Sequence, residues 1–307
     1  MNSNSEIRRF HSPSNKKVIT VGSRQCAYCG VLFRVEIAST IDHVVGRKFV
    51  PKGQLAGQWN LLLNACRECN GDKADLEDNI SVISMMSGMN LRIPTDPLII
   101  AEIKRKSGRA VSRRTGKVVA RSRETLVIDS KAAGRMMSLR FNGPPQIDYH
   151  RIERLAWYHV QAFVFFIGYN KKLRTGRYIV EGFQLVTWAG ESNWGNVEMR
   201  WFENLTTSWR SILRADAAGG YFRIVLRQID NEDLWSWALE WNKSLRVVGF
   251  FGNRQKVEEV TKAIPRAAPV FTHTEGNEKI VCREEIRLPK DEDFLFDWKD
   301  FMNPSEC

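Results

Sequence analysis

Four of the six cysteines form two Cys-x-x-Cys pairs, a spacing that suits a metal ion. Cys26 and Cys29 make the first pair, Cys66 and Cys69 make the second, and 36 residues lie between the pairs. Four thiolates around a tetrahedral centre are the ligands of structural Zn²⁺, and a centre with four protein ligands has no open position for catalysis. The alternatives are two unrelated buried pairs or a redox-active pair. We predict one structural zinc ion, with a further structure inserted between the pairs.

The inserted segment carries an acid and a histidine side by side. Residues 35–45 (VEIASTIDHVV) predict a strand that ends near Asp42 and His43. Histidine accepts a proton near neutral pH, and a carboxylate is a hard ligand for Mg²⁺ or Mn²⁺. Hydrolysis of a phosphodiester needs both a base that activates water and a cation that shields the phosphoryl oxygens. Because neighbours on a strand point to opposite faces, the strand must bend for both side chains to reach one phosphate.

The second cysteine pair opens a predicted helix with the sequence CRECNGDKADLE, whose first turns hold Asn70 and Lys73. The C-A-Y-C pair, the I-D-H-V-V strand, the Asn-Leu-Leu-Leu segment and the C-R-E-C-N-x-x-K helix start follow one another in that order. With these motifs, residues 24–78 resemble the HNH endonucleases, also called the ββα-metal nucleases. The resemblance covers about a fifth of the chain.

The resemblance implies a role for each matching residue. It implies that His43 is the general base and that Asp42 and Asn70 hold one catalytic Mg²⁺ or Mn²⁺ ion. Asn60 would brace the loop and help to hold the base. Asn60 lies six residues before Cys66, where the family has about five, so Asn64 stays an alternative. The family typically leaves 5′-phosphate and 3′-hydroxyl ends.

The positive charge is concentrated in the N-terminal part of the chain. The formal net charge is +11, of which residues 1–140 contribute +12 and residues 141–307 contribute −1. Residues 104–123 hold nine basic side chains and no acidic one, which indicates a phosphate-contacting arm, or else a solvated loop or hairpin. We expect DNA as the partner, bound through its backbone rather than read by sequence. The predicted contacts are Lys73, Arg47, Lys48, Lys104, Arg105, Lys106, Arg113 and Arg114.

The C-terminal part has a different composition. Apolar residues at three- and four-residue steps predict a helix over 151–168, and β-branched and aromatic runs predict strands at 177–188, 221–229 and 245–251. A further helix is expected at 254–263. Nine of the ten tryptophans lie between residues 157 and 298, which indicates a large aromatic core or an aromatic binding face. His159 lies on the apolar stripe of its helix and is expected to be a core histidine rather than a ligand.

These features predict an α+β protein with four parts along the chain. They are a flexible basic arm (1–18), a zinc-stapled ββα-metal nuclease domain (19–95), a basic linker or hairpin segment (96–145) and a mixed α/β domain of unknown role (146–307). The longest apolar stretch has about 14 residues, too few to span a bilayer, and the N-terminus lacks the apolar region of a signal peptide. We therefore expect a cytoplasmic location and no membrane partner.

The function expected from the sequence is metal-dependent cleavage of DNA by an HNH endonuclease. A defence or mobile-element nuclease of a bacterium or phage is the expected setting. The C-terminal domain would gate cleavage through a small-molecule or protein regulator. Because one ββα site cuts one strand, double-strand cleavage would indicate a homodimer or two successive nicks. Two alternatives stay open. One is a non-catalytic zinc-ribbon DNA-binding protein, and the other is a restriction or homing nuclease whose C-terminal half reads the DNA sequence.

Overall fold

A computed structural model describes residues 10–11, 18–86, 96–122, 124–132, 135–143, 147–266, 268, 271–275, 278–282 and 284–297, with backbone alone within 124–143 and 271–282. The α-helices are α1 (Arg67–Met86), α2 (Pro97–Lys106), α3 (Tyr149–Ile167), α4 (Val197–Thr206) and α5 (Arg254–Lys262). The strands are β1 (Phe10–His11), β2 (Val18–Val21), β3 (Ser39–His43), β4 (Asn60–Cys66), β5 (Glu124–Ala132), β6 (Arg135–Gly143), β7 (Gln184–Gly190), β8 (Arg210–Ala217), β9 (Phe222–Gln228), β10 (Leu234–Trp241), β11 (Leu245–Gly252), β12 (Phe271–Glu275) and β13 (Glu278–Cys282). The chain is a mixed α+β protein, as its sequence predicts.

Residues 39–86 form a β–β–α unit. Strand β3 pairs antiparallel with β4, with Asp42 opposite Leu63, and β2 pairs with β4 on its other edge. Strand β4 runs directly into α1, because Cys66 ends the strand and the next residue begins the helix. The strand bearing Asp42 and His43 and the helix bearing the second cysteine pair are therefore neighbours.

A six-stranded sheet forms the centre of the C-terminal part, with strand order β1-β8-β9-β10-β11-β7. Every residue of β10 and β11 is buried, because both faces of the sheet are covered. Trp235, Trp237 and Trp241 on β10 face the core that includes α3, whereas Ala238 faces a second core with α4 and α5. The three tryptophans are therefore core residues.

One hydrophobic core joins the β–β–α unit to the six-stranded sheet. Phe49, in the loop after β3, packs edge-on against Trp241 with ring centroids 5.6 Å apart. Trp59 stacks on Phe163 of α3 at 6.1 Å, and Phe10 of β1 packs on Trp59 at 5.5 Å. The predicted nuclease and C-terminal domains therefore follow each other along the chain but share one core.

The segment after the β–β–α unit folds back onto α1. Helix α2 begins at Pro97, capped by the Asp96 side chain, which accepts a hydrogen bond from the amide of Leu98 at 2.9 Å. Beyond α2, Ala110 and Val119 are buried against α1. Residues 104–122 are thus packed on the helix through these two residues, and β5 and β6 form an antiparallel hairpin.

Several sequence predictions of secondary structure are confirmed, and others are wrong. Helices α3 and α5 and strands β9 and β11 lie within a few residues of their predicted bounds. Residues 35–38 and 177–183 lie outside any strand, and β8, β10 and α4 were not predicted. The predicted flexible arm is wrong at residues 10–11, which form β1 parallel to β8; residues 1–9 and 12–17 lie outside the described part. Within the described part, no helix is long and apolar enough to cross a membrane.

Candidate metal centre and active site

The four paired cysteines converge in space. All four sulfur atoms lie within 4.8 Å of one another, and the Sγ atoms of Cys29 and Cys66 are 3.8 Å apart. A tetrahedron with Zn–S bonds of about 2.3 Å has edges of about 3.8 Å. A hydrogen bond with Cys69 lowers the pKa of Cys26 to about 5, which favours the thiolate, the form of cysteine that binds metal. The cysteines therefore fit one structural zinc ion, and the described residues hold no other convergent group of three His, Cys, Asp or Glu ligands.

The C-terminal part of the chain holds the first cysteine turn in place. Gln161 of α3 donates a hydrogen bond to the carbonyl oxygen of Ala27 at 2.9 Å, and the Tyr178 hydroxyl donates to that of Cys26 at 2.8 Å. Gly30 closes the turn with a φ of +76°, a conformation that favours glycine. The metal centre thus depends on residues from both parts of the chain.

A buried set of charged side chains lies beneath the end of β3. Lys73 is 1% exposed, and its Nζ lies 2.8 Å from Glu77 Oε1 and 3.3 Å from Asp42 Oδ2. The Tyr28 hydroxyl donates a further hydrogen bond to Asp42. Burial disfavours ionisation of both carboxylates. Burial raises the pKa of Asp42. At Glu77 burial acts in the same direction, but Lys73 and His159 together outweigh it and lower the pKa of that carboxylate.

The position of Lys73 corrects the prediction that it contacts a substrate phosphate. Its ammonium also donates to the carbonyl oxygen of His43 at 3.1 Å, so all three of its protons face protein oxygens. An ammonium enclosed in this way is the counterion of buried carboxylates and a brace for the strand end. It is not presented to a ligand.

His43 ends β3 and is half-buried. Arg47 Nη2 lies 3.1 Å from His43 Nε2, and because a guanidinium keeps its protons, Nε2 is the acceptor. Burial, followed by the Arg47 charge, lowers the pKa of His43 below its ordinary value of 6.5, which keeps the ring neutral at pH 7. Asp42 is buried and His43 is half-exposed, as the alternation of a strand requires, and the chain bends at residues 44–45 directly after them.

Asn60 braces the loop that follows β3. Its Oδ1 accepts a hydrogen bond from the amide of Val45 at 3.3 Å, and its Nδ2 donates to the carbonyl oxygen of Val45 at 3.0 Å. Asn64 instead accepts from the amide of Ser23 at 3.1 Å and donates to Ser39 Oγ at 2.6 Å. Of the two candidates, Asn60 is the one placed at the loop.

Asn70 lies in the first turn of α1 and faces β3. Its Nδ2 donates to Thr40 Oγ1 at 3.0 Å, and Thr40 lies two residues before Asp42 on the same face of the strand. The Asn70 side chain therefore belongs to the same interface between β3 and α1 as the Asp42 carboxylate. An amide oxygen and a carboxylate are the donors that Mg²⁺ prefers.

The predicted nucleic-acid contacts fall into two groups. Arg105 pairs with Glu102 at 2.6 Å, and Lys106 lies 3.3 Å from the same carboxylate. Arg113 pairs with Asp75, and Arg114 with Asp148 at 3.3 Å. The side chains of Arg47, Lys48 and Lys104 are exposed, and none has an acidic partner among the described residues. The second group therefore has its charge available to an anion.

His159 and Glu77 extend the buried charged set. His159 is fully buried among the rings of Phe49, Phe222 and Trp241, as expected of a core histidine, and its Nε2 lies 3.5 Å from Glu77 Oε1. The C-terminal part thus contacts the carboxylate that holds Lys73.

Glu77 and Tyr28 are site residues that the sequence reasoning missed. Glu77 follows Lys73 by four residues, the spacing of ion pairs along a helix, and that signal could have indicated it. A Cβ built on Gly46 would overlap the Glu77 carboxylate, so the loop after His43 lies directly on this side chain. Tyr28 lies inside the first cysteine turn, and nothing in its local sequence points to Asp42.

The buried imidazole makes stability depend on pH. Burial lowers the pKa of His159 to about 4, with Glu77 raising it and Lys73 lowering it. The unfolded chain, with a histidine pKa near 6.5, takes up the proton first as the pH falls, so stability is lost between about pH 6.5 and 4. We expect the unfolding free energy to fall by about 2 kcal/mol more in wild type than in His159→Phe between pH 7 and 5. Urea unfolding with zinc present measures this; parallel pH profiles for the two proteins would contradict it.

Comparisons with known proteins assign no family to this chain. No family model matches the chain, and the searches of curated proteins and of solved structures found no match. What the chain shows by itself is an α+β protein with four cysteines positioned to hold one metal ion, and a β–β–α unit whose elements carry Asp42, His43, Asn60 and Asn70.

Proposed function

We propose that the chain is a nuclease that hydrolyses phosphodiester bonds of DNA with His43 as its general base. The position of His43 carries the proposal. The residue ends a strand of a β–β–α unit, its ring is neutral and half-buried, and a guanidinium stands at its acceptor nitrogen. The resemblance of residues 24–78 to the HNH endonucleases agrees with this assignment.

Arg47 would have two roles at His43: it would bind the substrate phosphate, and in doing so it would release the Nε2 atom of His43. Its guanidinium donates to the neutral Nε2 atom at 3.1 Å, which is a weaker partner than a charged phosphate. When a phosphodiester arrives, the guanidinium binds two phosphate oxygens in its fork geometry and releases Nε2. That nitrogen then accepts the proton of the attacking water, while the guanidinium offsets charge on the phosphoryl oxygens.

Two buried side chains would keep the base in position. Lys73 holds the carbonyl oxygen of His43 at 3.1 Å, and Asn60 binds both backbone groups of Val45. The backbone is thus fixed at His43 and two residues beyond it. A base held in this way loses less freedom when the substrate binds.

Asp42 and Asn70 are the residues that would hold the divalent ion implied by the resemblance. Their oxygens fit Mg²⁺ or Mn²⁺ in donor chemistry, and the set of Asp42, Glu77 and Lys73 contains two carboxylates for one ammonium. Lys73 lies closer to Glu77 than to Asp42, so it offsets the negative charge of Asp42 less than that of Glu77. Such an ion supplies shielding of the phosphoryl oxygens.

Contacts across the shared core support the proposal that the C-terminal part regulates cleavage. Asn242, in the turn between β10 and β11, donates to the carbonyl oxygen of Phe49 at 3.3 Å and to Ser84 Oγ at 3.1 Å. A ligand or partner that moves this turn would therefore act on the loop carrying Arg47.

Removal of the base tests the nuclease proposal. With plasmid DNA and Mg²⁺ or Mn²⁺, we expect His43→Ala to nick about 10²- to 10⁴-fold more slowly than wild type, and wild-type activity to fall below the lowered pKa of His43, where the ring is protonated. The matched control is His150→Ala, an exposed histidine on α3, which should retain full activity. Equal nicking by wild type and His43→Ala would refute the assignment. DNA binding without any cleavage would favour the non-catalytic alternative.

A further inference from the structure

A pocket of about 270 Å³ lies beside the turn that follows His43. It is lined by Lys48, Asp78, Arg105, Lys106, Arg109 and Ala110, four of which are cationic and one acidic. We propose that this pocket binds one backbone phosphate of a nucleic-acid strand, next to the phosphate that is cleaved. The identity of the strand rests on the proposed nuclease function, whereas the phosphate chemistry rests on the pocket alone.

Lys106 lines this pocket with a charged side chain that hydrogen bonds hold in place. Its side chain is 10% exposed, and its Nζ donates to the carbonyl oxygen of Lys48 at 2.7 Å and to Ser81 Oγ at 2.9 Å. The buried Glu102 carboxylate lies 3.3 Å from it, on Oε2. This network fixes the Lys48 backbone before any ligand arrives. Because the Lys106 protons face protein oxygens, Lys106 contributes its charge to the pocket rather than a hydrogen bond.

Three other cations that line the pocket have N–H groups that no acidic side chain of the described residues accepts. Arg105 donates through Nε and Nη2 to Glu102, and its side chain is still 46% exposed, which leaves Nη1 without a bonded partner in the described part of the chain. The side chains of Lys48 and Arg109 are exposed and have no acidic partner in the described part of the chain. Three partly unused cations around one concavity match a group with several charged acceptor oxygens, as a phosphate has.

The turn of residues 47–49 connects this pocket to the base. The amide of Phe49 donates to the carbonyl oxygen of Gly46 at 2.9 Å and closes the turn. Arg47 directs its guanidinium to His43, while Lys48, its neighbour, lines the pocket. Because adjacent Cα atoms are about 3.8 Å apart, one continuous strand can contact both side chains.

Binding measured without cleavage tests the pocket. A fluorescein-labelled single-stranded and a double-stranded 20-mer would be titrated with the full chain, without added divalent ions, over about 0.05–0.3 M NaCl. The test variant is Lys48→Ala with Arg109→Ala. The control is Lys117→Ala with Arg121→Ala, which removes the same charge from exposed residues that neither line the pocket nor belong to the predicted contacts. We expect the test pair to lower the slope of log K against log salt by about 0.7–0.9, the value for one phosphate, and the affinity at 0.15 M salt more than tenfold, with less than half that change in the control.

The outcomes separate this site from the proposed function. Equal losses in the two double variants, with no phosphate-dependent difference in melting temperature between wild type and the test pair, would show diffuse attraction by basic charge and overturn the pocket assignment. Inorganic phosphate should raise the melting temperature of wild type more than that of the test pair. If that difference is seen but both variants bind the 20-mers alike, the ligand is a small phosphorylated molecule and the strand assignment is wrong. None of these readouts needs cleavage, so an inactive nuclease would leave the pocket assignment standing.

Discussion

Loss of zinc is expected to unfold the whole chain, not only the turns that hold the cysteines. Apparent zinc binding energies in four-ligand structural sites are about 10–16 kcal/mol, as large as the roughly 5–15 kcal/mol that stabilise a typical domain. Cys26 and Cys66 are buried in the same core as Phe163 and Trp241. Because that core has no internal boundary, opening the cysteine turns would expose the packing of α3 and the sheet.

Cysteine replacement measures this effect. We expect about one zinc ion per chain in wild type and in Cys282→Ser, a cysteine outside the cluster, and much less in Cys69→Ser. Cys69→Ser should also lose cooperative thermal unfolding and the near-ultraviolet signal of its tryptophans, as should wild type after chelation. A Cys69→Ser protein that keeps its zinc, or a chelated chain that unfolds at the wild-type temperature, would show that the ion does not stabilise the fold.

The zinc frame and the order of the β–β–α unit could be predicted because their signals are local. A Cys-x-x-Cys pair, a strand ending in Asp42 and His43, and a helix opened by the second pair each lie within a few residues of sequence. The choice between Asn60 and Asn64 needed the structure, because their spacing to Cys66 fits neither well and only the hydrogen bonds distinguish them.

The partners of these residues could not be predicted, because they come from distant parts of the chain. His159 reaches Glu77 across 82 positions of sequence, and Tyr28 reaches Asp42 across the cysteine turn. Strand β10 (LWSWALEW) is buried on both faces, so it lacks the alternation that marks a half-exposed strand. The packing of residues 104–122 on α1 was hidden by their charge, because Ala110 and Val119 are the few apolar residues that hold them there.

Replacing Lys73 by methionine is expected to destabilise the chain by about 3–5 kcal/mol, the usual consequence of leaving buried charges without their partner. The substitution keeps the length and apolar stem of the side chain, so the loss reports on the ammonium. Asp42 and Glu77, at 3.3 and 2.8 Å from Nζ, would both lose their counterion, and the carbonyl oxygen of His43 would lose its donor. The matched control is Lys104→Met, an exposed lysine on α2, which should change stability by less than about 0.5 kcal/mol.

A double-mutant cycle identifies which carboxylate depends most on this lysine. Because Nζ is closer to Glu77, Lys73→Met combined with Glu77→Gln should cost less than the sum of the two single changes, with a coupling of about 1–3 kcal/mol. Glu77→Gln should restore only part of the stability that Lys73→Met loses, because Asp42 remains buried with only the Tyr28 hydroxyl as a partner. Urea unfolding with zinc present measures each corner of the cycle. If Lys73→Met were as stable as Lys104→Met, the ammonium would not hold the buried carboxylates, and its brace on His43 would lose its physical basis.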